Sequence, residues 1–268
     1  VLPILFTPLF LYYSLIPVYE PILFPAIILI LIAYKNNQPR LLFACSLIAI
    51  LIDWPGYWPV IWILLFELFT TKNRQIIRWT ARAILLGTVL ILIHQKIVTG
   101  SFLTDFTKIG LYRIEASAQP YTPAVWLHLL VSRSKAFFGL PILITSALGI
   151  FLSFYKKIQR RLILLSLLFG LSHIFVFRNI TWYHDYMLYH LIPFMAISTF
   201  VFLKQFKFQT LAAVLVILLT IVTTHRFYTD LSAMTPHKKC AAKPAEFTKQ
   251  FSDECGAFYN FYNDGVIK

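Results

Sequence analysis

Residues 137–177 read FFGLPILITSALGIFLSFYKKIQRRLILLSLLFGLSHIFVF, two long apolar runs separated by a short basic loop. The basic residues of the loop are Lys156, Lys157, Arg160 and Arg161. Each run approaches the roughly 20 apolar residues that a helix needs to cross the hydrocarbon core of a membrane. Excess Lys and Arg in a short loop is typical of the cytoplasmic side. The stretch therefore predicts two transmembrane helices, over residues 137–155 and 162–177, joined at the cytoplasmic face.

The same pattern recurs along the chain, where basic clusters separate long apolar runs. The other three clusters are Lys35/Arg40, Lys72/Arg74/Arg78/Arg82 and Lys204/Lys207. Placing all four clusters on the cytoplasmic side leaves a single threading with about nine crossings. The predicted crossings are residues 2–16, 22–34, 41–52, 59–70, 83–98, 137–155, 162–177, 186–203 and 208–224. The polar segments that then face outside are 17–21, 53–58, 99–136, 178–185 and the tail from His225.

The composition is that of a membrane protein. Hydrophobic residues make up 59% of the 268 residues and charged residues only 13%, which is too apolar for an ordinary soluble domain. The net charge of +13 does not indicate a nucleic-acid partner, because most Lys and Arg lie in the short inner loops, where they set orientation and meet anionic lipid. We expect an all-α, polytopic transmembrane protein with small outer-face elements. Its predicted parts are a transmembrane domain over residues 1–224 and a polar, noncytoplasmic tail over residues 225–268.

Two predicted crossings, residues 41–52 and 59–70, are short and flank a segment rich in Pro and Trp. The Pro and Gly residues of that segment argue against a single helix through it. Either the two runs form a short broken hairpin whose tip reaches only the outer interface, or they form a strongly tilted pair. The long outer segment 99–136 is expected to be functional or to contain small helices of its own.

The cysteines and two of the histidines fit structural roles. Cys45 lies inside a predicted helix and is interpreted as a small packing residue. Cys240 and Cys255 lie in the tail, in a compartment predicted to be oxidising, so they are either bridged or remain two free thiols. His94 and His173 lie within or near apolar helices and are interpreted as core histidines.

Two acidic residues interrupt the outer ends of apolar runs. Glu20 stands at an outer helix junction, where burial would be costly without a partner or water. Its simpler interpretation is a solvated turn carboxylate at the headgroup level. Asp53 directly precedes a Trp-Pro pair, and an ionisable group at a helix break on the membrane face is a candidate for a functional site. Its alternative role is an Asx turn or helix terminus that satisfies backbone amides freed by Pro55.

The densest polar cluster reads RNITWYHDY from Arg178 to Tyr186. Arg178 offers a bidentate fork for a phosphate, and His184 can donate to a phosphate or ligate a metal ion. Asp185 can orient the imidazole or bind sugar hydroxyls, while the Tyr and Trp side chains offer flat faces suited to a saccharide ring. The alternative is an interface belt with scattered polar residues. No Walker loop, Gly-x-Ser-x-Gly elbow, His-Glu-x-x-His or Cys-x-x-Cys motif is present.

Two parts of the chain resemble a known family. The segment TPLFLYYS at residues 7–14, Tyr19-Glu20-Pro21 at the start of a helix, and the run closing on Asp53-Trp54-Pro55 resemble the middle of a bacterial membrane glycosyltransferase. The family is the dolichyl-phosphate-mannose-protein mannosyltransferase-like group, of the C-type superfamily that uses polyprenyl-phosphate sugars. His184-Asp185-Tyr186, followed by a helix with Pro193, resembles the family's His-x-Tyr and Pro-containing helix.

The resemblance implies an enzyme that moves a sugar from a polyprenyl phosphate to a hydroxyl of a lipid, glycan or protein acceptor. It would act at the noncytoplasmic face of the bacterial inner membrane, where the C-terminus would also lie. The implied phosphate and substrate contacts are Arg178, Asn179, His184 and Tyr186. The implied catalytic carboxylates, at the acceptor or at a metal ion, are Glu20, Asp53 and Asp185. Some C-type enzymes use a divalent cation and others do not, so this cofactor stays open.

The chain departs from the family pattern at two places. The family's main catalytic carboxylate lies in a first outer loop that would precede Val1, so we expect a chain truncated at its start and inactive alone. Many relatives have a Lys near the break where this chain has Asp53. The competing interpretations are a secondary transporter or flippase and a noncatalytic membrane scaffold. Clustering of polar groups at one face and the lack of repeat symmetry argue against the transporter.

Overall fold

The computed structural model describes residues 2–14, 20–102, 122–177 and 185–233. Within these ranges the regular structure is helical and contains no strand. The prediction of an all-α protein is therefore confirmed for the part of the chain that the structure describes.

The helices follow one another with short connections. The first four are α1 (Leu2–Leu5), α2 (Pro8–Ser14), α3 (Glu20–Lys35) and α4 (Pro39–Ile52). A 3-10 turn over Trp54–Gly56 leads into α5 (Tyr57–Phe66), which continues as a π-helix over Glu67–Thr71. Next come α6 (Arg74–Thr99), α7 (Pro123–Lys156) and α8 (Arg160–Val176). A 3-10 helix over Asp185–Leu191 precedes α9 (Ile192–Leu203) and α10 (Gln209–Ala233).

Several helices have the length and composition of membrane spans. Those long and apolar enough to cross a bilayer cover Arg74–Thr99, Pro123–Lys156 and Gln209–Thr229. Shorter apolar helices cover Ile22–Lys35, Pro39–Ile52 and Met187–Leu203. Large apolar side chains on α6 and α10 point away from the protein, as lipid-facing residues do. The structure thus indicates an integral membrane protein, whereas the number of nine crossings stays a prediction.

Side-chain contacts place the four basic clusters at one end of the helix bundle. Asn73 donates to Asn37 Oδ1 at 3.0 Å and joins the second loop to the first. Arg161 lies 3.7 Å from the carboxylate of Glu67 and joins the third loop to the second. Lys156 donates to Gln205 Oε1 at 2.6 Å and joins the fourth loop to the third. We call this region, residues 35–40, 67–78, 156–161 and 204–207, the basic end.

The predicted broken hairpin is present between α4 and α5. Asp53 is extended (φ −170°, ψ 168°) and ends α4. The 3-10 turn after it folds back so closely that a Cβ added at Gly56 would lie 2.0 Å from the carbonyl oxygen of Ala49. A proline within the turn removes a backbone donor, which favours this break over a continuous helix. The chain therefore leaves the basic end through α4 and returns to it through α5.

The helix boundaries and burial bear on several predictions. The segment 99–136, predicted to be functional or to contain small helices of its own, includes the start of α7, which begins at Pro123 after Thr122, whose hydroxyl accepts from Val125 N at 3.3 Å. Lys135 and the buried Arg133 lie on that helix. Helix α7 bends at Gly139 (φ 75°, ψ 153°), just before Pro141 and close to the predicted start of the crossing at residue 137. Helix α10 continues beyond the predicted boundary at residue 224. His94 is exposed on α6, so its predicted core role is wrong.

Two apolar cores hold the bundle together. One core lies among α3, α4, α5 and α6, and the other among α1, α2, α7, α9 and α10. Helix α8 contributes to both, with Leu165 and Phe169 in the first and Ile163 and Ile174 in the second. The second core also joins distant parts of the chain, since Thr224 on α10 donates to the carbonyl oxygen of Phe6 at 2.6 Å.

Candidate functional site

Asp53 occupies the break between α4 and α5, at the end of the bundle opposite the basic end. Its side chain is half-buried, and Oδ1 accepts from the backbone N–H of Trp54 at 2.7 Å. Its carbonyl oxygen accepts from Gly56 N at 2.9 Å. The carboxylate thus has the capping role that was the alternative prediction for Asp53. This contact fixes the side chain at the break.

An aromatic cluster joins the Asp53 break to the end of α8. The ring of Phe177 lies 6.4 Å from the ring of Trp54 and 6.2 Å from that of Trp58, both edge to face. Phe177 is buried and directly precedes Arg178 in the chain. Edge-to-face pairs at these separations add to the stability gained from burial. The break at Asp53 and the end of α8 therefore lie together.

A buried histidine pair lies one turn below Phe177. The imidazoles of His173 and His190 have their centroids 3.9 Å apart, and His173 Nε2 lies 3.0 Å from the sulfur of Met187. Both histidines are almost fully buried. The core position predicted for His173 is confirmed. The pair packs the 3-10 helix Asp185–Leu191 against α8.

A second aromatic cluster brings the start of α3 to the same region. Phe10, Phe24 and Tyr189 form a triad with ring centroids 6.0 to 6.2 Å apart. Phe24 lies about one helical turn after Glu20, and Tyr189 follows Asp185 by the same number of residues. The first turns of α3 and of the 3-10 helix are therefore neighbours.

The structure accounts for the predicted site residues to different extents. The backbones of Glu20, Asp185 and Tyr186 lie in the first turns of α3 and of the 3-10 helix. Asp53 is described in full. Arg178, Asn179 and His184 lie outside the described residues. The elements that carry or flank the predicted site therefore meet at one end of the bundle, and the contacts among its polar side chains stay a prediction.

No metal site can be assigned from the described part of the chain. Within it, no three His, Cys, Asp or Glu side chains are grouped closely enough to hold a metal ion. The divalent cation that the family resemblance leaves open therefore has no proposed ligands here beyond the predicted carboxylates.

One buried polar centre was missed by the sequence analysis. Glu67, 2% exposed, lies in the π-helix at the basic end and pairs with Arg161 as described above. Its carboxylate accepts from Tyr34 Oη at 2.6 Å, from Asn73 N at 3.2 Å and from Thr71 Oγ1. The sequence does contain an indication, because a lone carboxylate near the end of an apolar run is a candidate for a buried, paired group. The nearby Lys and Arg residues made Glu67 look like part of a solvated basic loop.

Glu67 and its partners line a cavity of about 270 Å³ at the basic end. Its lining comes from four elements, since Tyr34 belongs to α3, Glu67 to the π-helix, Ile76 to α6 and Arg161 to α8. The chain turns sharply after the π-helix at Lys72, whose backbone is left-handed (φ 54°). The carboxylate therefore organises the basic loops rather than the predicted site at the opposite end.

Comparisons of the chain with protein-family models, curated proteins and solved structures gave no match. The functional assignment is therefore argued from the residues quoted above and from the geometry around the Asp53 break. The roles of Asp53 and Arg178 are tested by substitution below.

Proposed function

We propose that this protein is a membrane glycosyltransferase that moves a sugar from a polyprenyl phosphate to an acceptor hydroxyl at the noncytoplasmic face of the bacterial inner membrane. The observation that carries the proposal is the packing of the Asp53 break, through Trp54 and Trp58, against Phe177. This contact brings the Asp53 break to the end of α8, after which Arg178 follows in the sequence. A carboxylate near cationic groups is the combination that glycosyl transfer from a lipid-linked phosphate requires.

The roles in the proposed site follow from side-chain chemistry. Arg178 and His184 hold the phosphate that leaves with the polyprenyl chain, because both donate hydrogen bonds and both carry or can acquire positive charge. Glu20, Asp53 and Asp185 contact the acceptor hydroxyl or a metal ion. Asn179 and Tyr186 bind the sugar through hydrogen bonds and a flat ring face.

The proposed side of the membrane follows from the positions of the two ends. The four basic clusters meet at the basic end, which the positive-inside rule assigns to the cytoplasm. The Asp53 break, the end of α8 and the start of the 3-10 helix lie at the other end of the bundle. A polyprenyl-phosphate sugar that presents its head group at the noncytoplasmic face would meet these elements.

Binding of a lipid-linked phosphate tests the proposal directly. The purified chain is titrated with a mannosyl phosphate on a short polyprenyl chain and, as the matched control, with the same polyprenol lacking sugar and phosphate. We expect at least tenfold tighter binding of the phosphate compound, because charge-assisted hydrogen bonds to a phosphate are strong. Equal affinity for the two compounds would contradict the proposed donor.

Substitutions of Asp53 separate its capping role from a role in the site. Asp53→Asn retains an oxygen that can accept from Trp54 N, so we expect an unchanged free energy of unfolding. Loss of the negative charge should reduce transfer at least tenfold in the enzyme with its complete site, because a carboxylate at the acceptor is lost. Asp53→Ala should in addition lower the free energy of unfolding by about 1 kcal/mol. Full activity of Asp53→Asn would leave Asp53 as a helix cap only.

Arg178→Lys tests the phosphate contact. Lysine keeps a positive charge at headgroup depth but loses the bidentate fork of arginine. We expect about tenfold weaker donor binding and slower transfer, with normal membrane insertion and thermal stability. Unchanged donor affinity and turnover would show that Arg178 only anchors the chain at the membrane interface by snorkelling.

A further inference from the structure

A groove at the basic end lies between the start of α4 and the first turns of α6. Its volume is about 550 Å³. Its lining residues are Gln38, Pro39, Arg40, Leu41, Gln75 and Trp79. It is separate from the proposed catalytic site, because the Asp53 break lies at the far end of α4.

The groove is positively charged and carries an aromatic wall. Arg40 is an exposed lining residue, and the guanidinium of Arg82 lies 4.9 Å from the centroid of the Trp79 ring. The same indole packs edge to face with Phe43, with ring centroids 5.4 Å apart. Asp53 and Glu67 are the acidic residues in the sequence from 35 to 82, and neither lines the groove. The site therefore has a net attraction for anions and a fixed indole beside it.

Apolar helix faces continue from the groove toward the middle of the membrane. On α4, Leu41, Ile48 and Leu51 are exposed at 43%, 55% and 48% and lie at helical spacing on one face. On α6, Leu85 and Val89 are also exposed, in the turns that follow Arg82. A ligand with a phosphate group and hydrocarbon chains would contact both surfaces, with the phosphate in the groove and the hydrocarbon along the apolar faces. A soluble phosphate would leave the apolar faces without a contact from the ligand.

We propose that the groove binds an anionic phospholipid of the adjacent leaflet. Arg40 contacts the lipid phosphate, Trp79 lies at the level of the glycerol backbone, and the acyl chains follow the apolar faces of α4 and α6. Basic pockets between membrane helices are recognised by such head groups, and Trp favours this depth of the bilayer. The inference does not depend on glycosyl transfer, since no residue of the groove belongs to the proposed catalytic site.

Quenching of Trp79 by brominated lipid tests the proposal. The full chain is reconstituted in phosphatidylcholine vesicles that contain increasing fractions of acyl-brominated phosphatidylglycerol or of acyl-brominated phosphatidylcholine. The Trp79 signal is the difference between the wild-type protein and Trp79→Phe. We expect half-maximal quenching at an about fivefold lower fraction of phosphatidylglycerol than of phosphatidylcholine. Equal fractions would overturn the proposal.

A matched pair of charge variants separates a defined site from general surface charge. Arg40→Gln should reduce the fivefold preference to nearly one, whereas Lys204→Gln, at the same end but outside the groove, should keep it. Equal losses in the two variants would contradict a site in this groove.

Competition with a soluble anion separates a lipid from a free phosphate. Glycerol phosphate in solution should not displace the brominated phosphatidylglycerol. Displacement at millimolar concentration would overturn the lipid assignment in favour of a soluble anion. Thermal melting of each variant checks its fold, and the comparison of lipids in the wild-type protein stands without any variant.

Discussion

Replacing Gly149 by leucine is expected to lower the free energy of unfolding by roughly 4 kcal/mol. Gly149 lies on α7 where this helix packs directly on α9, and a Cβ there would lie 1.8 Å from the backbone carbonyl oxygen of Ser198. A backbone atom cannot rotate away as a side chain can, so the two helices would have to separate. Small residues at such crossings allow close approach of membrane helices.

Unfolding in detergent, followed by circular dichroism or thermal melting, measures this effect. Gly149→Ala should show a smaller loss, because alanine adds only the Cβ that overlaps the carbonyl oxygen and none of the further side-chain atoms of leucine. Ala147→Leu is the matched control, since Ala147 is exposed on the same helix. It should change stability by less than about 0.5 kcal/mol. Equal melting temperatures of Gly149→Leu and Ala147→Leu would show that α7 and α9 are not in close contact.

Glu67→Ala is expected to cost roughly 3 kcal/mol of folding stability. The substitution leaves the Tyr34 hydroxyl, the Thr71 hydroxyl and the Asn73 N–H without the carboxylate they bond, at about 1 kcal/mol each. The ion pair with Arg161 adds little, because the Arg161 side chain is 45% exposed. The loss arises mainly from buried hydrogen bonds.

Two further variants test this account of Glu67. Tyr34→Phe removes one of the three donors and should cost about 1 kcal/mol. Arg161→Gln should cost less than Tyr34→Phe, because an exposed ion pair contributes little. Urea or thermal unfolding in detergent gives the comparison. A larger loss from Arg161→Gln than from Tyr34→Phe would show that charge pairing, rather than hydrogen bonding, holds the basic end together.

Much of the architecture could be predicted because the membrane imposes strong rules on sequence. The grouping of the four basic clusters followed from charge alone, and side-chain contacts join them at one end. The break at Asp53 followed from local backbone chemistry, since a proline and a glycine oppose a continuous helix. Features of this kind depend on a few neighbouring residues or on overall composition.

The errors arose where a polar residue is buried through contacts with distant helices. Arg133 was expected in the outer segment 99–136, yet it is buried on α7, because a charged residue is tolerated in a helix that packs against protein. Glu67 lies among many Lys and Arg residues in the sequence, and two of its partners, Tyr34 and Arg161, belong to distant helices. The pairing of His173 with His190 likewise depends on how α8 meets the 3-10 helix. No local pattern contains that information.

The candidate site was predicted only as a set of polar segments at one face. The contact between the Asp53 break and the end of α8 depends on Phe177, which in the sequence is like any other apolar residue at the end of a helix. The contacts of aromatic residues at helix ends therefore decide which helix ends meet, and hydrophobicity alone does not predict those contacts. The polar side chains themselves remain the subject of the substitutions proposed above.

The hydrogen bond from Thr224 to Phe6 has a consequence for how the chain is assembled in the membrane. The two residues are 218 positions apart, so α1 and α2 emerge from the ribosome long before their partners on α10. Helices α3 to α6 emerge close together and can begin to pack while synthesis continues, although their core also needs α8. Helices α1 and α2 can pack on α7 once that helix is made, but their contact with α10 must wait until α10 follows. This part of the bundle is therefore completed late, since contacts between distant parts of a chain form late.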